Sequence, residues 1–323
     1  MQNKETDHTP WVSIVIPLFN EADVFPQLVQ RLTDILNKSP FIMEVVMIDD
    51  GSNDGTDRML AELAMGDARF KALFLSRNFG HQIAVSAGMA HINASKACMI
   101  IDGDLQDPPE LVFEMFEILT GELEYDVVYA VRKNRKENRI KVGMYFAFYR
   151  ILNYFSDIYI PYDSGDFALI SRKVVDIINL MPERSRFLRG LRSWVGFKQK
   201  EFVYDRQERY AGKSKYSFKM LLKLAFDGIY NFSDKPLRMI TKLGLGTIML
   251  GLFYFAFILL KRKLGYEVID GFPSLIMLIL FFSGVQLLSI GIIAEYISRI
   301  YLESKGRPLY VIQRVIEKKQ IVS

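Results

Sequence analysis

Two nearly uninterrupted apolar runs, at 243–260 (LGLGTIMLGLFYFAFILL) and at 273–297, constrain this chain more than any other feature. Each has roughly the 17–25 residues that cross a bilayer core. A short polar loop separates them, which is the pattern of a transmembrane hairpin. Two buried core helices are the alternative, and two long uncharged runs so close together count against it. Gly244 and Gly251, like Gly284 and Gly291, are seven apart. That spacing places each pair on one helix face, where helices can approach within the hairpin or between protomers of a homo-oligomer.

Charge gives the hairpin a direction. Lys219, Lys223, Lys235, Arg238 and Lys242 precede the first run, and Arg299, Lys305, Arg307, Arg314, Lys318 and Lys319 follow the second. The intervening loop carries Lys261, Arg262 and Lys263. The flanks outnumber the loop, so both ends of the hairpin are expected in the cytosol. Ahead of it, Phe218, Leu221, Leu222, Ala225, Phe226 and Ile229 form one helical stripe. Beside a transmembrane segment, this reads as a helix lying in the membrane interface. The lipid bilayer is thus an expected partner.

The rest of the chain is globular in character. Of 323 residues, 24% are charged, too many for a wholly embedded protein, and half are apolar, too many for disorder. The net charge is +4, and no nucleic-acid partner is expected. A single Cys98 excludes an internal disulfide and suits a reducing compartment. No Cys/His cluster has the spacing of a zinc site. The polar opening MQNKETDHTP does not have the form of a signal peptide.

From Trp11 onward, short β-rich runs at 12–17, 44–49, 72–76, 97–102 and 126–131 alternate with helix-compatible stretches at 22–37, 53–65, 81–94 and 109–119. This predicts an α/β domain whose mostly parallel sheet is covered by helices, with its ligand site beyond the carboxyl ends of the strands. Polar residues collect there: Pro17, Phe19, Asn20 and Glu21 after the first run, Asp49 to Ser52 after the second, Arg77 and Asn78 after the third, Asp102 to Gln106 after the fourth, Arg132 after the fifth. The expected divisions are 1–215 for the globular domain, 216–238 for the interfacial region, 239–300 for the hairpin and 301–323 for a cytosolic tail.

Asp102 and Asp104, one residue apart after a buried strand, can share a hard divalent cation that bridges substrate phosphates, with Gln106 adding an oxygen. No G-x-G-x-x-G follows the first strand, and Gly212–Lys213–Ser214 lacks the preceding glycine of a phosphate-binding loop. His81 and His91, ten apart, match no ligand spacing and are expected on a helix surface or in the core. Cys98 and Trp194 are expected in the core, and Asp107 is expected to cap a helix before Pro108–Pro109.

PLFNE, IDDGSNDGT, SRNFG and DGDLQDPPE, in this order, resemble the inverting GT-A glycosyltransferases of family 2. SGDFALISR, ERSRFLRGLRSWVGF, RYAGKSKYSF and EYISRIYLESKGRPLY, around two spans, narrow the resemblance to bacterial polyprenyl-phosphate glycosyltransferases of the bactoprenol glucosyltransferase type, related to dolichyl-phosphate mannose synthase. The resemblance covers nearly the whole chain. It implies a Rossmann-like GT-A fold in the bacterial cytoplasmic membrane. It also implies transfer of a sugar, glucose first and N-acetylglucosamine second, from a UDP-sugar to undecaprenyl phosphate, with Mg2+ or Mn2+ as cofactor. A downstream flippase or glycan transferase would take the product.

By the same resemblance, Pro17, Phe19, Glu21 and Asp50 would cradle the uridine, and Asp102, Asp104 and Gln106 would hold the metal on the diphosphate. Arg132 would contact phosphate or the acceptor, and Asp166 would lie on the acceptor side. Arg209, Ser214 and Lys215 would close over the phosphates, and Lys141 would meet the acceptor phosphate. An ionised acceptor phosphate needs cations more than a strong base. Two rivals remain at this stage. A processive polysaccharide synthase would carry Q-x-x-R-W, and no Arg-Trp pair is present. A catalytically silent nucleotide-binding scaffold is opposed by the intact Asp pair.

Overall fold

A computed structural model describes residues 9–132, 150, 164–184, 186–205, 230, 233–264 and 271–322. The alternation predicted for the first half is present: β1 (Val12–Leu18), α1 (Phe25–Lys38), β2 (Met43–Asp49), α2 (Thr56–Gly66), β3 (Phe70–Leu75), α3 (His81–Ala90) and β4 (Ala97–Ile100). A 3-10 turn (Pro109–Leu111) leads into α4 (Val112–Thr120) and β5 (Val127–Arg132). Next come β6 (Ser164–Ser171), α5 (Arg172–Leu180), α6 (Leu188–Trp194) and β7 (Gln199–Tyr204). Two long helices, α7 (Lys235–Lys263) and α8 (Phe272–Ser304), precede β8 (Ile312–Glu317) and β9 (Gln320–Ile321).

The nine strands among the described residues join one sheet in the order β7-β5-β6-β4-β1-β2-β3-β8-β9. The run β4-β1-β2-β3 is parallel. Its strands are buried on both faces because side chains alternate between two cores: Ile14, Ile16, Val45 and Met47 pack on one side, Val15, Val46 and Ile48 on the other. β6 runs antiparallel to both β4 and β5. It therefore begins at the edge where its neighbours end. This brings Asp166, near its start, to the same rim as Asp102 and Arg132.

The chain beyond the hairpin, expected as a tail, adds strands to the sheet. β8 pairs antiparallel with β3, with Ala72 opposite Ile316, and Lys71 Nζ meets Glu317 Oε2 at 2.9 Å. The strand was illegible because its two buried residues, Val315 and Ile316, are adjacent and flanked by charge in IQRVIE.

At 1.5 Å per residue, α7 and α8 are roughly 44 and 50 Å long, more than the ~30 Å of a bilayer core. Both contain a window long and apolar enough to span, and no residue of either window is buried within the protein. Such a surface requires an apolar surrounding. The far end of α8 returns to the globular domain, where the Arg184 amide donates to Glu303 Oε1 (2.7 Å), and the Tyr296 hydroxyl donates to the Ser233 carbonyl just ahead of α7 (2.8 Å). The 218–229 stripe lies outside the described residues.

Candidate active site

The loops after β1 and β2 are tied to each other. The Asn20 amide donates to Ser52 Oγ (3.0 Å), Glu21 N to Thr56 Oγ1 (3.0 Å) and Ala22 N to Asp54 Oδ2 (3.0 Å), while Asn53 N donates to Asn20 Oδ1 (2.9 Å). The motifs PLFNE and DDGSNDGT thus form one unit whose small polar side chains replace a backbone ladder. Pro17 is buried at the end of β1, Phe19 is 38% exposed and Glu21 is half-buried at the rim.

Asp50 ties this unit to α3. Its carboxylate is buried and accepts from the amides of Phe79 (2.7 Å) and Gly80 (2.9 Å). Burial raises the Asp50 pKa, an effect that these two amides oppose. The adjoining Gly51 has φ +73°, and a Cβ there would stand 2.8 Å from the backbone of Arg77 and Asn78. We expect Gly51→Ala to cost about 1–3 kcal/mol of stability, since both the conformation and the close backbone approach are lost. A melting temperature equal to that of the parent would show that the loops can part without cost.

With Asp50 holding Gly80, the next residue is aimed across the rim. His81 opens α3, and its Nε2 lies 3.5 Å from Asp102 Oδ1 and 3.5 Å from Asp166 Oδ2. Both distances suit an ion pair and exceed a good hydrogen bond. Burial alone would lower the His81 pKa. Asp166 and Asp102 outweigh it and raise it to about 9, so the imidazole is cationic at neutral pH.

Asp166 is held by three side chains. Arg189 on α6 grips it with Nε (2.9 Å) and Nη2 (3.3 Å), and Gln82 Nε2 donates to it at 2.8 Å. Gln82 Oε1 in turn accepts from the Leu188 amide (2.9 Å), which joins the start of α3 to the start of α6. Burial would raise the Asp166 pKa, but Arg189 and His81 hold it well below the ordinary carboxylate range. A base so weak accepts few protons at pH 7.

Asp102 is the opposite case. Burial pushes its pKa up; His81 opposes this, but Asp107, Asp104 and Asp166 add to the rise, which reaches about 6. Carboxylates that repel one another at a strand end are a donor set that a hard divalent cation relieves, so these residues fit such an ion. Among the described residues, no three His, Cys, Asp or Glu side chains form a closed metal cluster. Protein donors are therefore few, as in sites where substrate phosphates and water complete the shell. The Gln106 backbone is held beside the pair, its main-chain N–H donating to Asp104 Oδ1 at 3.1 Å.

The structure brings Pro17, Phe19, Glu21, Asp50, Asp102, Asp104, Gln106 and Asp166 to one rim, and it ends β5 there at Arg132. Lys141, Arg209, Ser214 and Lys215 lie outside the described residues. His81, Gln82 and Arg189 were missed. For His81 the available signal was its place directly after SRNFG at a helix start. Two lesser expectations are corrected. Trp194 is 60% exposed, because α6 buries Leu188, Leu191 and Arg192 on another face. Asp107 accepts from the Tyr204 hydroxyl at 2.5 Å, while the turn after it has no side-chain cap.

Comparison with known proteins gives the family. Residues 13–178 match the model of glycosyl transferase family 2, and residues 235–300 match that of the GtrB C-terminal hairpin. The chain is 45% identical over 312 residues to the uncharacterized glycosyltransferase YkcC of Bacillus subtilis, covering 96% of each protein. It is 39% identical over 308 residues to the bactoprenol glucosyl transferase of Shigella phage SfV, covering 95% of this chain and 99% of that one. Among solved structures, mannosyl-3-phosphoglycerate synthase from Rubrobacter xylanophilus aligns over 73% of this chain and 75% of its own, at 16% identity and a TM-score of 0.44.

Proposed function

The chain belongs to glycosyltransferase family 2, with a GtrB-type C-terminal hairpin, and from that premise we propose that it transfers glucose from UDP-glucose to polyprenyl phosphate, undecaprenyl phosphate in a bacterial membrane, with inversion at the anomeric carbon. The observation that carries the reading is the meeting, on one rim, of the Asp102–Asp104 pair with the Asp166–Arg189 ion pair, His81 lying between them. The near full-length likeness to bactoprenol glucosyl transferases supports the lipid acceptor and the sugar.

An oxygen of the acceptor phosphate attacks the anomeric carbon as the bond to the UDP oxygen breaks, and UDP leaves with the electron pair. The acceptor is already ionised, so no residue has to remove a proton. The weak basicity of Asp166 is consistent with that. Asp166 instead fixes Arg189, a cation that lowers the repulsion between two anionic substrates. Asp102 and Asp104, with Gln106 beside them, would hold Mg2+ or Mn2+, which when bound supplies charge stabilisation to the departing diphosphate. Pro17, Phe19, Glu21 and Asp50 line the nucleotide end. Arg132, Lys141, Arg209, Ser214 and Lys215 complete the assignment on the strength of the resemblance.

The sheet supports the orientation. β7 precedes the hairpin and β8 follows it, and both belong to one sheet, as expected of two spans that start and finish on the same side. The basic flanks put that side in the cytosol, where UDP-sugars are. With Cys98 replaced, Tyr266→Cys in intact cells should react with an impermeant thiol reagent, and Val322→Cys should not. The reverse pattern would remove the proposal.

The decisive assay incubates the purified protein with polyprenyl phosphate and a panel of labelled UDP-sugars, and identifies the lipid product by mass spectrometry. Glucosyl phosphoryl polyprenol is the expected product. An N-acetylglucosamine product would change the sugar and keep the reaction. No product with any donor would favour the silent scaffold.

A further inference from the structure

The proposed reaction fixes where the transferred sugar must lie, and one unassigned side chain occupies that place. The sugar's anomeric carbon is bonded on one side to the diphosphate, which belongs to Asp102 and Asp104. On the other side it receives the acceptor, which belongs to Asp166 and Arg189. Whatever stands between Asp102 and Asp166 therefore faces the sugar ring. That residue is His81, with Nε2 at 3.5 Å from each carboxylate. The nitrogen is buried, and both carboxylates stand at ion-pair distance from it without closing a hydrogen bond. A buried donor held short of hydrogen-bond contact with its neighbours keeps bonding capacity, and a ligand group that takes it up gains accordingly.

The imidazole is held for the purpose from three directions. Asp50 fixes the Gly80 amide directly before it. Gln82, directly after it, is bonded to Asp166 and to the Leu188 amide. Beneath, α3 lies so close to the sheet that a Cβ on Gly88 would stand 2.5 Å from Val15 Cγ1 and from Ile48 Cδ1. The helix cannot drift, so the ring position is set by the fold and not by its own contacts.

We propose that His81 is a sugar-specificity residue, whose Nε2–H donates to a hydroxyl of the sugar being transferred. The inference rests on the glycosyltransferase reading above and adds to it the residue that recognises the transferred group. UDP contains everything that binds at the metal and nucleotide end but lacks the sugar. The two ligands therefore separate sugar recognition from a general disturbance of the site.

The test measures the Kd of UDP-glucose and of UDP by calorimetry with Mn2+ and without acceptor, for the parent, His81→Ala and His81→Gln. Losing one hydrogen bond to a buried donor should weaken UDP-glucose about tenfold in His81→Ala, while UDP changes by less than about twofold. Transfer kinetics with singly deoxygenated UDP-glucose analogues give the second readout. One deoxy donor should lose about tenfold in kcat/KM with the parent and almost nothing further with His81→Ala, because the partner is already gone. His81→Gln, which keeps an N–H, should recover part of the loss. Equal weakening of UDP and UDP-glucose would assign His81 to the metal end and overturn the proposal. So would an unchanged Kd for UDP-glucose, or a change confined to the KM for polyprenyl phosphate. If the parent transfers no sugar at all, the glycosyltransferase reading fails first and this inference with it. That result is distinguishable from an active parent with an indifferent His81.

Discussion

Sugar transfer should fall at least about a hundredfold when Asp102 or Asp104 is replaced by alanine, the scale of losing a principal electrostatic stabiliser of a developing charge. The reason lies in the charge balance at the end of β4. Asp102 has a carboxyl pushed up to about 6 by burial and by the nearby Asp107, Asp104 and Asp166. Such a cluster is poorly stable as built, and a divalent cation converts its repulsion into binding. The departing UDP carries two phosphates, so the same cation would be shared between enzyme and leaving group. EDTA should abolish transfer, and Mg2+ or Mn2+ should restore it in the parent but not in either variant. The variants should keep the parent's fold, because removing Asp102 also removes a source of repulsion. Their melting temperatures should be unchanged or higher while Mn2+-dependent UDP binding is lost. Full activity in EDTA would show that the Asp pair serves some other purpose.

The parts of this protein that were legible in its sequence are those whose physics is local. β1 to β5 announced themselves because strands buried on both faces read as apolar runs, and the rim motifs announced themselves because loops between such strands need turn residues. The two long helices were legible from hydropathy alone. β6 to β9 were not read as strands. β7 reads QKEFVY with only Tyr204 buried, and β8, second from the edge of the sheet, pairs with a partner more than two hundred residues earlier. The site divides in the same way. Asp102, Asp104 and Gln106 lie within five residues, and one strand end displays them together. The cluster of His81, Gln82, Asp166 and Arg189 joins three segments, and it exists because β6 runs against its neighbours. A search for histidine ligand spacing could not find His81, because its partners are carboxylates from β6 and from the end of β4. Arg189 sits in a stretch with Arg184, Arg186 and Arg192, and nothing in the sequence says which of them faces the rim.

Asp166→Ala should destabilise the protein by about 3–5 kcal/mol, the cost of leaving one member of a buried ion pair without the other. The Asp166 side chain is 6% exposed and that of Arg189 is 18% exposed, so water can do little to replace the lost carboxylate. Both guanidinium contacts and the Gln82 amide would lose their acceptor at once. Removing both charges should restore much of the loss: Asp166→Leu with Arg189→Met should be more stable than Asp166→Ala, since no guanidinium is then left without its carboxylate and His81 keeps Asp102. That double variant should still be inactive, because the acceptor-side cation has gone with its anchor. The pair also predicts a pH dependence. Asp166 has a folded pKa well below the ordinary value near 3.9. Its contribution is therefore fully present above the unfolded pKa and is lost as pH falls toward the folded one. Urea unfolding at pH 7 and at pH 3 should show the parent losing stability at acid pH, and the double variant losing measurably less. Equal acid slopes in the two proteins, or an Asp166→Ala variant as stable as the parent, would mean that Asp166 does not hold Arg189 in place. Arg189 would then have to find the acceptor phosphate by other contacts.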